Sequence, residues 1–318
     1  MIVDKQGVRG VFLTSMLKSR HRRTLASPAQ GDLTMTTATA PVESITLVAD
    51  GVSLAARIAR PVGTSRALIL AVHGGTYDSE YFQVSDDSLL TIAPVLGYTV
   101  VAVDRPGYGG SADVAADRLG FDEQAKILTA AMDGLAASLD LPVVLVGHSI
   151  GGMLALLVAA SSSTPRGIEV SGLGELWQPG IREMWGGLRG DAPSIALPPE
   201  AHAGVMLGPE GTYPASAIAR DGELLRPMPM PELYDVVDWA DRLPTVGAAV
   251  TVQVRLTFAE HDHIWRADDE AMAAVARHFT AAPFATTLMT GVGHSIELHH
   301  LARAYVLSQL SFVEQAIA

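Results

Sequence analysis

The stretch 141–160, LPVVLVGHSIGGMLALLVAA, limits what the rest of the chain can fold into. Residues 142–146 are a β-branched run that reads as a strand, and 153–160 read as an apolar helix. Between them Gly147-His148-Ser149-Ile150-Gly151 fits the pattern G-x-S-x-G. That pattern marks a sharp strand-to-helix turn that lifts a serine hydroxyl above a sheet. Glycine is needed on both sides because the backbone approaches itself closely there and a Cβ would obstruct it. With 30 glycines in 318 residues, roughly 0.2 matches to so short a pattern arise by chance. The flanking strand and helix therefore carry the assignment. The window is also long and apolar enough to resemble a membrane span. Pro142, three glycines and the central His148-Ser149 pair argue instead for a buried strand followed by a buried helix. A helix opening at Ser149 points free backbone N–H groups and a positive dipole end at the site.

The pattern on either side is regular from Glu43 onward. Residues 45–48 and 52–59 read as a hairpin across Asp50-Gly51, a preferred two-residue turn. Residues 67–72 (ALILAV) form a continuous apolar run, as in a central strand covered on both faces. A helix is expected over 87–96, a strand over 99–103, and an amphipathic helix over 122–139. After the serine turn come a strand at 167–173, then further on a strand at 250–258, a helix at 268–279, a strand at 284–289 and a last helix at 297–316. Strands and helices alternating in this way predict a doubly wound, mostly parallel sheet with right-handed crossovers.

Two segments break the regularity. Residues 176–248 hold Trp177, Trp185, Trp239 and the run Pro227-Met228-Pro229-Met230 without strand signals, and are too long for one loop in a compact domain. They predict a small helical lid inserted between core segments 41–175 and 249–318. Residues 1–40 carry six cations against Asp4 and Asp32, then turn small and polar. No apolar run follows Arg22-Arg23, so a signal peptide is not indicated. The segment reads as a flexible extension, with Met35 an alternative start to Met1.

The formal charge of −12, without a basic run in the body, argues against nucleic acid and anionic membranes as partners of the folded part. A cytoplasmic monomer or homodimer acting on a small apolar molecule is expected. The absence of cysteine excludes disulfides, thiolate metal sites and a cysteine nucleophile. No dinucleotide fingerprint or P-loop is present, so no cofactor is expected.

Functional groups in open parallel sheets gather beyond the carboxyl ends of the strands. Here those ends read His73-Gly74-Gly75, Gly147-His148-Ser149, Glu260-His261-Asp262 and Gly293-His294. A serine hydroxyl needs an adjacent base, and a histidine base needs a carboxylate to fix its tautomer. Serine, acid and histidine in that chain order, each at a strand end, point to Ser149, Asp262 and His294. Glu260, Asp238 and Asp241 compete for the acid, and His299 and His300 for the base. A His261-Asp262-His263 metal site is disfavoured because neighbours in an irregular turn rarely converge on one ion. His73 and His148 read as structural.

These motifs resemble the α/β-hydrolase superfamily over about residues 43–316: HGG at 73–75, DRPGYGGS at 104–111, GHSIGG at 147–152, AEHDHIW at 259–265 and GVGHS at 291–295. The resemblance implies that Ser149 is the nucleophile, His294 the general base and acid, and Asp262 the orienting carboxylate. It also implies an oxyanion hole from the backbone N–H groups of Ile150 and Gly75. Tyr77, Trp177, Trp185 and Met184 are candidate pocket residues, with Met228 and Met230 either beside them or packed in the lid. The expected reaction is cleavage of an ester, thioester or lactone of a medium-sized apolar substrate through an acyl-enzyme. The alternatives are non-hydrolytic chemistry on the same site, such as C–C bond cleavage, cyclisation or coupling in natural-product biosynthesis, or a ligand receptor without turnover.

Overall fold

The computed structural model describes residues 41–318. The expected extension 1–40, and with it Met35, lies outside the described residues. The chain opens with a hairpin, β1 (Glu43–Ala49) and β2 (Val52–Ala59), turning through Asp50 and Gly51 at positive φ. Then follow β3 (Leu68–Val72), α1 (Leu89–Val95), β4 (Thr99–Val103), α2 (Phe121–Leu139), β5 (Val143–His148), α3 (Ile150–Ser161) and β6 (Pro165–Ser171). The last part holds β9 (Gln253–His261), α9 (Asp269–Ala276), β10 (Phe284–Gly293) and α10 (Ala302–Ile317). These eight strands form one sheet in the order β1-β2-β4-β3-β5-β6-β9-β10. β2 is antiparallel to both neighbours, and from β4 to β10 every pair is parallel.

The continuous apolar runs become strands covered on both faces. Leu68, Leu70 and Val72 of β3 pack with α2 and α3, while Ile69 and Ala71 pack with α1 and α10. Val144 and Val146 of β5 join the second group and Val143 and Leu145 the first. The alternation along each strand is thus read by two separate helical layers, which is the doubly wound arrangement. Their parallel pairing puts the carboxyl ends of β3, β5, β9 and β10 at one edge of the sheet.

Between β6 and β9 lie α4 (Ile181–Gly186), β7 (Ser194–Ile195), α5 (Pro199–Met206), α6 (Ala217–Leu224), β8 (Met228–Pro229), α7 (Met230–Val237) and α8 (Trp239–Ala249). β7 and β8 pair as a two-stranded ribbon, which the strandless pattern of 176–248 did not lead one to expect. Trp239, Leu243 and Val246 of α8 are buried in the same cluster as α3. That end of the insertion therefore packs against the main core.

Several boundaries differ from the sequence reading, β10 for instance running to Gly293 instead of 289, and two of them bear on the site. β9 continues through His261 instead of ending at 258, so Asp262 stands directly at its tip. The last helix begins at Ala302, not 297, after a 3-10 turn at Ile296–Leu298. His299 explains the delay: its Nε2 accepts from the amides of Gly208 (3.1 Å) and Gly293 (2.8 Å), pinning the chain before it can wind. Among the described residues no helix is long and apolar enough to cross a membrane.

Candidate active site

Ser149 joins β5 to α3 with φ 53° and ψ −123°, a backbone region costing a non-glycine residue about 1–3 kcal/mol. Its surroundings hold it there. The Ser149 amide donates to the Ser171 carbonyl (2.8 Å), and its own carbonyl accepts from Gly152 (2.8 Å) and Met153 (3.1 Å). The flanking glycines leave no alternative, since a Cβ on Gly147 would meet the Gly151 carbonyl oxygen at 2.6 Å.

His294 stands immediately after β10, with Nε2 3.0 Å from Ser149 Oγ and Nδ1 2.8 Å from Asp262 Oδ2. The other Asp262 oxygen accepts from the amides of Ile264 (2.7 Å) and Trp265 (3.1 Å), which fixes the carboxylate plane. The structure thus brings the serine, histidine and aspartate of the sequence reading together. The competing groups are engaged elsewhere. Glu260 accepts from the Gly291 amide (2.8 Å), and Asp238 and Asp241 pair with Arg189 and Arg182 at the surface. His299 is committed to the two amides already named.

Behind the site His148 is buried and stacks on Tyr81, ring centroids 4.7 Å apart, while its edge meets His294 at 5.0 Å. Burial first, then the neighbouring His294 and His73, push its imidazole well below the usual histidine range, so it is neutral. Gly172, at φ 66°, permits this packing: a Cβ there would lie 2.9 Å from His148 Cε1 and 3.0 Å from His294 Cε1. Below, Tyr81 donates to Glu297, whose carboxyl burial raises to about 7.

The turn after β3 is held from beneath by a buried cation. Arg105 donates to the carbonyls of His73 (2.9 Å) and Gly74 (3.0 Å), and pairs with Glu232 of α7. Tyr108 also donates to Glu232 (2.7 Å). His73 accepts from the Arg105 amide (3.0 Å). Gly75 follows at the cavity floor, where its Cα hydrogen fits because a Cβ would be 2.8 Å from Ile150 Cδ1. Ile150 opens α3, and the N–H groups of a first helical turn have no intrahelical acceptor.

A narrow apolar cavity, partly open to solvent, lies over Ser149, Ile150, Gly75 and Thr76. Trp177, Trp185, Met206, Met228 and Val236 of the insertion wall it, with Ile264 and Trp265 from the loop after Asp262. Trp177 and Trp265 pack with centroids 4.0 Å apart. Two candidate pocket residues need correction. Met184 is 45% exposed, because it lies on the outer side of the short helix that buries Trp185. Tyr77 is buried away from the cavity, its hydroxyl bound to Asp221 (2.6 Å) and Ser295 (3.0 Å). Met230 is buried in the core. Thr76, Met206 and Val236 carried no local signal, whereas Ile264 and Trp265 lie within the AEHDHIW motif.

The chain is 33% identical over 118 residues to monoglyceride lipase of Mus musculus, a match covering 36% of this chain and 37% of that protein. It therefore spans little more than a third of that relative's length. Among solved structures, it resembles a thermophilic esterase from Thermogutta terrifontis (TM-score 0.65, 16% identity, covering 87% of this chain and 100% of that one). It also resembles a soluble variant of monoglyceride lipase from Saccharomyces cerevisiae (TM-score 0.65, 17% identity, covering 88% and 96%). At these identities the structural likeness is one of fold. The model of the alpha/beta hydrolase family matches residues 69–307, which include the serine turn, Asp262 and His294. The chain belongs to the alpha/beta hydrolase family.

Proposed function

We propose that this protein is a serine hydrolase that cleaves a carboxylic ester, thioester or lactone with an apolar acyl part of medium size. The observation that carries the reading is the continuous line from Ser149 Oγ through His294 to Asp262, at 3.0 and 2.8 Å. In this reading His294 takes the Ser149 proton as the oxygen attacks the substrate carbonyl carbon. The new oxyanion accepts from the amides of Ile150 and Gly75. His294 then gives the proton to the departing alcohol or thiol, leaving an acyl-enzyme. Water activated by the same imidazole releases the acid and restores the serine. Asp262 holds Nδ1 protonated and stabilises the imidazolium, without itself taking a proton.

The insertion would act as a lid, excluding water from a cavity walled by indoles and thioethers. That lining favours an uncharged, apolar acyl chain. The partial likeness to monoglyceride lipase supports glycerol and alkyl monoesters as the first substrates to try. The test is intact-protein mass spectrometry after exposure to a fluorophosphonate. A single adduct on the wild type, absent from Ser149→Ala and His294→Ala, is the expected result. An adduct that persists in Ser149→Ala, or no adduct on the folded wild type, would overturn the reading.

A further inference from the structure

Thr76 follows Gly75 directly and holds φ at 66°, a left-handed backbone that a β-branched residue leaves when free to do so. Its ties come largely from the insertion. The Thr76 carbonyl accepts from the Arg226 amide at 2.7 Å, and Arg226 also grips Asp78 at 2.8 Å. The Thr76 hydroxyl lies 2.7 Å from His202 Nε2, on α5. His202 Nδ1 lies 2.7 Å from Asp221 Oδ2, on α6, and Tyr77 occupies the other Asp221 oxygen. Thr76, His202 and Asp221 are all buried.

Carboxylate, imidazole and hydroxyl are thus aligned a second time in this molecule, beside the first. The hydroxyl also bonds the Gly75 carbonyl, which commits it to the turn instead of freeing it to attack. A dry polar array of this kind persists only when its members satisfy one another. What it holds is the peptide that follows Gly75, a residue lining the cavity beside Ser149. We infer that His202, oriented by Asp221, is a positioning residue for the oxyanion hole, acting through Thr76 to keep the Gly75 N–H aimed at the reacting oxygen. The inference rests on the acyl-transfer reading above. It makes the insertion a working part of the hole as well as a cover.

The test compares Thr76→Val, Thr76→Ser, His202→Phe and the double variant Thr76→Val/His202→Phe. Each is measured for ester kcat and KM, and for affinity toward an alkyl trifluoromethyl ketone, whose serine adduct places an oxyanion in the hole. Thermal midpoints show that each variant is folded. Losing one hole donor outright costs about 10²–10³-fold, so misaiming one should lower kcat about 10–100-fold in Thr76→Val and His202→Phe. KM should stay within about threefold, and ketone affinity should fall by the same factor as kcat/KM. Thr76→Ser should stay within about threefold of wild type, and the double variant should fall no further than the worse single one. If His202→Phe does not fold, the Thr76 pair decides alone. The inference is overturned if folded Thr76→Val matches wild type, if Thr76→Ser is as poor as Thr76→Val, if ketone affinity holds while kcat falls, or if the losses add. A wild type that neither turns over esters nor binds the ketone overturns the acyl-transfer reading and this inference together.

Discussion

Gly151 lies against the carbonyl of Val72: a Cβ on the glycine would stand 2.0 Å from that oxygen. Strand β3 and the serine turn are therefore in backbone contact, and neither can yield without opening the sheet. Gly151→Ala should destabilise the fold by more than about 4 kcal/mol, at the far end of the range for single substitutions. Gly134, in the middle of α2 with nothing near its missing side chain, is the control. Gly134→Ala should stabilise by about 0.4–1 kcal/mol. Urea denaturation of the two variants measures both.

Ser149 holds a conformation that suits glycine better than serine. Ser149→Gly should abolish ester turnover while raising stability by about 1 kcal/mol. A variant no more stable than wild type in urea would show that the turn stores no strain.

Asp262 receives two amides on one oxygen and His294 on the other. Asp262→Asn keeps the shape but lets its amide face Nδ1, which favours the wrong imidazole tautomer. A loss of about 10³–10⁴-fold in kcat, with KM nearly unchanged, is expected from steady-state kinetics. A loss below about tenfold would send the search for the acid back to Glu260.

Glu297 links pH to stability. Burial raises its carboxyl from 4.5 to about 7. Between those values the native state keeps a proton that the unfolded chain has lost, so stability falls as pH rises. The contribution is complete below about pH 4.5 and gone above about pH 7, on the order of 3 kcal/mol in all. Glu169, buried beside Arg255 and also raised to about 7, adds a slope of the same sign. Glu297→Gln, which cannot ionise, should lose clearly less stability than wild type between pH 5 and pH 8. Equal losses in parallel denaturation curves would remove Glu297 as the cause.

The parts legible from sequence are those whose physics is local. Residues 68–72 and 143–146 announce central strands because both faces are dry, so every position is apolar. Ser149, Asp262 and His294 were singled out because each lies just beyond a predicted strand, where open parallel sheets gather functional groups. Thr76, His202 and Asp221 were not legible. They are 126 and 19 residues apart along the chain, in a turn and two helices whose mutual placement no spacing rule dictates. Met184 and Trp185 show the same limit over a shorter distance. In a six-residue helix the apolar phase is too brief to say which neighbour faces inward, and the structure buries the indole and exposes the thioether.

The walls over Ser149 hold indoles, thioethers and branched carbons, and among the described lining residues there is no cation. An ester enters such a space uncharged, but the acid formed from it becomes an anion when it gives up its proton. Apart from His294 and the N-terminus of α3 no positive group waits there, and burying a carboxylate with so little compensation is costly. On the acyl-transfer reading the cavity that retains the substrate therefore rejects the product. Ionisation drives release, and inhibition by the liberated acid should be weak at neutral pH and stronger in acid solution.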